Sequence, residues 1–467
     1  MASEDLLFSS IRELATQLRA RKISPVELTK AYLNRLERYG PKLGAVVTIT
    51  RELALAQAQT AESEIMRGNY RGLLHGIPYG AKDLLATRGI PTTWGAAPYR
   101  DQVFDFDATV IERLRRAGAV LVAKLAMVEL AGGMGYNNPH ASFTGPGRSP
   151  WNTDYWSGGS SSGPGAATAA GLVGFAIGSE TSGSILTPAA FCGVTGLRPT
   201  YGLVSRYGAM ALSWTLDKIG PMCRSVDDCG LVLAVISGRD PKDPSTAERI
   251  FTYKGGENLP RKFKIGVLKG ATNQVQPEVK TNFEAALEVL GRLGTLTPDV
   301  ELPDFPYGPV VGVIVGAEGA SAFLDLIESG RVQQLQAPRD RIGGYSNSMI
   351  FAVDYLQAMR IRGLMKQPMH ALLSQYDAVV APTRATVAYP IGMDFEKAYP
   401  GLGGSVAVIP AGNLVGAPAI SVPNGFGPNN LPTGLQFLGR PFGEGALVAI
   451  ANAYQRQTEW HRRHPSL

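Results

Sequence analysis

Short apolar runs alternate along the chain with longer stretches whose apolar residues recur at helical spacing. Ala119-Val120-Leu121-Val122-Ala123, Phe263 to Leu268 and Ala378 to Pro382 have strand length and end in breakers. Helix-period stretches such as 109–117 and 277–293 lie between them. Strands alternating with helices predict an α/β fold. Residues 4–68 read as helices, with Ser24-Pro25-Val26-Glu27 giving an N-cap, a proline at the first helical position and a Glu three residues on. The first 70 residues are therefore expected to form an N-terminal helical layer. In the region 240–375, which the pattern defines least, the apolar run Val310 to Ala317 leads into a helix-like stretch ending at Ile327. It reads as core, the alternative being a layer over a substrate pocket. No linker divides the chain and no internal repeat is visible, so 1–467 is taken as one domain.

The most unusual stretch is Ser157-Gly158-Gly159-Ser160-Ser161-Ser162-Gly163-Pro164-Gly165. Taken alone it could be a flexible linker. Its surroundings favour structure: Pro164 can open a helix through Ala166 to Ala170, Gly171 can close it, and Leu172 to Ile177 reads as a buried strand. A second hydroxyl-rich turn follows, Gly178-Ser179-Glu180-Thr181-Ser182-Gly183-Ser184-Ile185. A helix of about eight residues rises ~12 Å and a strand of about six returns ~20 Å, so both loops can meet at one end of the layer. A serine there needs a base, and with only five histidines in the chain a lysine is a candidate. Lys82, in His75-Gly76-Ile77-Pro78-Tyr79-Gly80-Ala81-Lys82-Asp83, has apolar and small neighbours that could bury the amine and lower its pKa.

Composition narrows the partners. Lys and Arg number 45 against 39 Asp and Glu, a net charge of +6 without long basic runs, which is too weak to argue for nucleic acid, so no nucleic-acid partner is expected. With 45% hydrophobic and 18% charged residues the chain can bury a large core, and its 55 glycines and 32 prolines disfavour an all-helical fold. The start has no basic or apolar leader segment, and no apolar stretch approaches the ~18 residues of a membrane span, so a cytoplasmic protein is expected. Cys192, Cys223 and Cys229 read as reduced, buried thiols, with a Cys223–Cys229 disulfide as the alternative. HExxH, P-loop and dinucleotide fingerprints are absent, and His461 and His464 lack ligand company, so neither metal nor cofactor is assigned. Gly159-Ser160-Ser161-Ser162-Gly163 fits the serine-hydrolase elbow with Ser161 as nucleophile, but the polar Trp151 to Ser157 shows no strand leading into it.

Together these segments resemble the amidase signature family. The resemblance rests on Leu74-His75-Gly76-Ile77-Pro78 through Lys82-Asp83, Gly89 to Gly95, Gly158-Gly159-Ser160-Ser161, Ser179 to Pro188, and Phe191 to Gly202. Near the end, Pro418 to Pro423, Leu431 to Gln436 and Gly439 to Phe442 extend it, while 240–375 has no clear counterpart. It implies a central mixed, twisted β-sheet covered by helices on both faces. It also implies a Ser-cisSer-Lys triad: Ser184 as nucleophile, Ser160 after a cis peptide as bridge, and Lys82 as base. The backbone N–H groups of Thr181, Ser182, Gly183 and Ser184 would form the oxyanion hole, and Ala131 and Gly132 would border the substrate.

Two departures stand out. Many members carry Asp-Thr-Gly-Gly-Ser-Ile-Arg, whereas Glu180-Thr181-Ser182-Gly183-Ser184 is followed here by Ile185-Leu186. The missing arginine argues against a carboxylate held at that position. Ser162 also replaces a usual glycine, placing a further hydroxyl near the bridge. The resemblance thus implies a cofactor-free amidohydrolase, monomer or homodimer, acting on small neutral amides and on esters and carbamates. The alternative is the glutamine-hydrolysing subunit of a tRNA-dependent amidotransferase, to which Arg198 to Pro221 is equally similar.

Overall fold

A computed structural model describes residues 4–255, 262–403 and 408–467. The strands, in chain order, are β1 (Val46–Ile49), β2 (Pro78–Lys82), β3 (Val120–Leu125), β4 (Arg148–Ser149), β5 (Asn152–Trp156), β6 (Phe175–Glu180) and β7 (Thr195–Arg198). They continue with β8 (Lys218–Cys223), β9 (Phe263–Leu268), β10 (Gly294–Val300), β11 (Ala378–Pro382), β12 (Ala419–Phe426) and β13 (Pro432–Leu438). Eleven of them make one sheet in the order β1-β3-β2-β6-β8-β7-β12-β13-β11-β9-β10, and β4 with β5 forms a separate ribbon. The sheet is mixed: β3, β2 and β6 run parallel, as do β11, β9 and β10, while the remaining neighbours are antiparallel.

Alternation along the central strands explains why both faces are covered. Leu121 of β3 and Phe175 and Ile177 of β6 join one apolar cluster, whereas Val120, Val122 and Ala176 join another. Successive side chains of a strand point to opposite faces, so the two clusters are the two sides of the sheet. Parallel strands buried on both faces read as continuous apolar runs, which is why β3 is visible in the pattern. The helices Thr109–Arg116 and Pro277–Leu293 and the strands β9 and β11 lie where the periodicity places them.

Several expectations are corrected. The N-terminal layer is not purely helical, because Val46–Ile49 forms β1 at the sheet edge against β3. Its four residues are all β-branched, a strand signal within a helix-rich stretch. The strand after the first serine loop is Phe175–Glu180, not Leu172 to Ile177. The chain turns at Gly171, whose φ is +63°, and joins the sheet only where the Gly174 N–H donates to the Pro78 carbonyl at 2.9 Å. Residues 152–156 do form a strand, held by the ribbon with Arg148 and Ser149 rather than by the sheet. In the 240–375 region β9 and β10 extend the sheet, and Val310 to Ala317 falls inside the helix Tyr307–Ala322. That helix serves both roles, because Val310 and Ile314 are core while Val311 and Val315 face a cleft. The first three residues of the N-terminal layer and 256–261 of this region lie outside the described residues. The three cysteines are free and buried, with the Cys223 and Cys229 thiols beside one another. Among the described residues no helix is long and apolar enough to cross a membrane.

Candidate active site

Lys82 is the last residue of β2, a strand buried along its whole length between β3 and β6. Its neighbour Asp83 anchors that strand end: it pairs with Lys124 at 3.2 Å, both side chains fully buried, and accepts the Thr93 N–H at 2.9 Å. The Lys82 amine thus enters the site from a rigid support. Its Nζ lies 2.7 Å from Ser160 Oγ and 2.9 Å from Ser179 Oγ. Burial pushes the Lys82 ammonium down to about 7, against the opposing charges of Asp217 and Glu180. A neutral amine in contact with a serine hydroxyl can act as a base near pH 7.

The Gly159–Ser160 peptide is cis, as the family resemblance implies. The two serine loops are tied together: Ser161 N–H donates to the Ser184 carbonyl at 3.2 Å, and Ser161 Oγ donates to the Ser179 carbonyl at 3.1 Å. Ser161 is fully buried, so it is not the exposed nucleophile that the elbow reading requires. Ser184 opens to the cleft at 9% exposure. Ser162 starts the helix Ser162–Ala169 and its hydroxyl donates to the Ala126 carbonyl at 3.3 Å, away from the relay.

The turn Thr181 to Ser184 follows β6 directly. Gly183 has a φ of +92°, a conformation glycine adopts without steric cost. Glu180 pins the far side of this turn, its Oε2 accepting the N–H groups of Ile185 at 2.9 Å and Leu186 at 3.0 Å. Its Oε1 accepts Arg198 Nη1 at 2.8 Å and Asn413 Nδ2 at 2.9 Å. Burial alone would raise the Glu180 pKa, but the Arg198 charge, the Asn413 bond and the Lys218 charge outweigh it and hold the carboxyl at about 2. Leu186 is fully buried and does not line the cleft, and the guanidinium partner of Glu180 is Arg198 of β7. On the other side, Thr181 Oγ1 donates to Asp217 at 2.6 Å, and Asp217 also accepts the Leu212 and Ser213 N–H groups.

The cleft above Ser184 encloses about 470 Å³. Ala131 and Gly132 line it, on a segment where Leu130 and Ala131 both adopt positive φ, 49° and 55°. Such left-handed non-glycine residues concentrate at functional sites. Gly132 is required by contact, since a Cβ there would come within 2.4 Å of the Tyr136 ring. Trp156, Tyr136, Phe395 and Tyr389 form an aromatic wall, with Trp156 and Phe395 stacked at 4.8 Å between centroids. Among the described residues no group of three His, Cys, Asp or Glu side chains stands together as a metal site.

The sequence profile of the Amidase family matches residues 27–448. The chain belongs to the amidase family. Over 487 residues it is 38% identical to a glutamyl-tRNA(Gln) amidotransferase subunit of Thermosynechococcus vestitus, covering 98% of this chain and 100% of that one. The peptide amidase of Stenotrophomonas maltophilia superposes with a TM-score of 0.85 at 31% identity, covering 98% of both chains. A protein from a complex described as revealing the evolutionary origins of an s-triazine catabolic enzyme gives 0.87 at 28%, over 96% of this chain and 98% of that one. The amidase fold therefore accounts for the mixed sheet and for the meeting of Lys82 with Ser160.

The residues that support this centre escape a reading of the sequence. Ser179 stands there only as one hydroxyl in a hydroxyl-rich turn. Its side chain reaches Lys82 because β6 neighbours β2 and alternation points position 179 away from the face that Glu180 takes. Arg198 and Asn413 come from distant segments and give no local signal, although a carboxylate entering an apolar helix start at Glu180 demands a buried partner. Arg384 and the aromatic wall escape it too, because their convergence depends on the loop after β11.

Proposed function

We propose that this amidase is a serine amide hydrolase in which Ser184 attacks the acyl carbon, Ser160 relays the proton and Lys82 receives it. The observation that carries the reading is the buried Lys82 amine 2.7 Å from Ser160, with its pKa near 7. Neutral Lys82 takes the Ser160 proton as Ser160 takes that of Ser184. The N–H groups of the 181–184 turn stabilise the oxyanion, a contribution of about 3 kcal/mol per donor in such sites. The relay returns a proton to the leaving amine, and water then repeats the cycle on the acyl-enzyme. Amides, esters and carbamates all present the same acyl carbon to this machinery, so the walls of the cleft decide among them.

A second reading is a glutamine-hydrolysing subunit that passes ammonia to a partner. The amidotransferase subunits among the relatives favour it. So does an exposed apolar stripe, Ile342, Met349, Phe351, Val353 and Leu356, on and between the helices Asp340–Asn347 and Ala352–Leu373. Patches of this kind mark interaction surfaces. Against it, no described residue lining the cleft is acidic, so an α-ammonium group would find no counter-charge. The test is hydrolysis, by the purified chain alone, of an anilide, an aryl ester, an aryl carbamate and glutamine, with Ser184→Ala as control. Turnover of the anilide, ester or carbamate that vanishes in the variant supports the first reading. Silence until partner subunits are supplied, or turnover of glutamine alone, supports the second.

A further inference from the structure

Among the described residues lining the cleft, Arg384 carries the sole charged side chain. It follows β11, and its Nη2 donates to the Tyr389 hydroxyl at 3.1 Å. Its Nε is buried and has no acceptor among the described residues. Three buried arginines donate from that atom to a backbone carbonyl: Arg35 Nε to Ala170 at 2.8 Å, Arg198 Nε to Ala417 at 3.2 Å, and Arg362 Nε to Leu414 at 2.7 Å. Arg206 Nε, like Arg384 Nε, has no hydrogen-bond acceptor among the described residues, but Arg206 has a carboxylate partner in Asp243 at 3.7 Å. Arg384 instead has a buried, unanswered donor beside the substrate space, and leaving such a donor unmade is costly.

We infer that Arg384 is a specificity residue that binds a carboxylate of the substrate. The inference rests on the hydrolase reading above and gives it a substrate class: amides bearing a carboxylate on an apolar or planar body. The guanidinium presents parallel N–H groups that match a carboxylate, and a low-dielectric aromatic surround strengthens the pair. Tyr389, oriented by its bond to Arg384, faces Phe395 at 5.1 Å between ring centroids, so cation and aromatic wall form one subsite. The remainder of the described lining is apolar or neutral, including Val311, Val315 and Leu212. Without an acidic side chain among those residues, the cleft has nothing to favour a zwitterion over a simple acid. Leu186 leaves no carboxylate anchor directly after Ser184, and Arg384 supplies one from a different position in the chain.

The probe pair is glutaramate, a five-carbon monoamide with a terminal carboxylate, and pentanamide, the same chain without it. The readouts are the ratio of their kcat/KM values by ammonia release and the ratio of their affinities for the Ser184→Ala protein by calorimetry. The wild type should favour glutaramate. Arg384→Met and Arg384→Gln should lower that preference by roughly 10- to 100-fold, as expected for a lost charge-assisted pair, and Arg384→Lys should restore part of it. Equal treatment of the two amides by the wild type, or a ratio that survives both Arg384 substitutions, would overturn the inference. The binding ratio on Ser184→Ala decides it without turnover. A wild-type chain that binds glutaramate through Arg384 but fails to form an acyl-enzyme would overturn the hydrolase reading and leave the anchor standing.

Discussion

Replacing Lys82 with methionine should silence the amidase and at the same time stabilise its fold at neutral pH. A lysine whose pKa falls from 10.5 to about 7 on folding binds fewer protons in the native state than in the unfolded chain. The cost to the fold is complete below pH 7 and fades as the pH rises toward 10.5. At about 1.4 kcal/mol per unit, the cost is about 4 kcal/mol at pH 7 and about 2 kcal/mol at pH 9. Methionine has similar length and no charge, so it removes this cost. It also leaves Ser160 and Ser179 without their Nζ partner, a loss of about 1 kcal/mol each. The net expectation is a gain of about 2 kcal/mol at pH 7 that shrinks to near zero by pH 9. Urea unfolding of wild type and Lys82→Met at pH 7, 8 and 9 measures the difference, and m-values unchanged between them would confirm that the comparison is of stability alone. The companion assay is the wild-type profile of kcat/KM, which should rise tenfold per pH unit below about 7 and level off above it. A variant less stable than wild type at pH 7, or an advantage that grows with pH, would refute the placement of a depressed lysine at this site.

Other consequences can be checked in the same way. Glu180→Gln should destabilise the protein by about 3 kcal/mol by leaving Arg198 buried without its charge partner, and should lower kcat about 100-fold by loosening the 181–184 turn. Adding Arg198→Met should recover part of the stability and none of the rate, as denaturation and steady-state assays would show. Lys218 is fully buried with its Nζ unpartnered among the described residues, so Lys218→Met should be neutral or should raise Tm, with a gain of up to about 2 kcal/mol in thermal unfolding. Asp340 shares a buried site with Glu129, and burial plus that neighbouring carboxylate raises its pKa to about 9. The Asp340 contribution to stability should therefore decline as pH rises from 4 toward 9, opposed above pH 7 by the fading cost of Lys82. The stability difference between wild type and Asp340→Asn should therefore shift in favour of the variant with rising pH in unfolding series across the same range.

How far the sequence can be read depends on whether a signal is local. β9, β11 and the helix Pro277–Leu293 have bounds fixed by their own periodicity and breakers, and they appear in place. Lys82, Ser160 and Ser184 are assigned through the family resemblance, and the fold brings Lys82 against Ser160 and joins the Ser184 loop through Ser161. The apolar pattern starts the strand after the first serine loop too early, because Leu172 and Val173 are apolar for burial in the turn rather than for a place in the ladder. Glu180 with Arg198 and Asn413, and Arg384 with Tyr389, are not legible in the sequence. Each depends on side chains from separate parts of the chain meeting, and nothing in the spacing around one residue records the other. The absence of arginine at position 186 is visible in the sequence, whereas the pairing of Glu180 with Arg198 is not.

Trapping the nucleophile puts the relay to its sharpest test. Purified chain treated with a fluorophosphonate, digested and sequenced by mass spectrometry should carry the adduct on Ser184. Labelling should be lost in Ser184→Ala and should fall steeply below pH 7 as Lys82 gains its proton. An adduct on Ser161, or labelling of Ser184 that is unaffected by Lys82→Met, would contradict the relay.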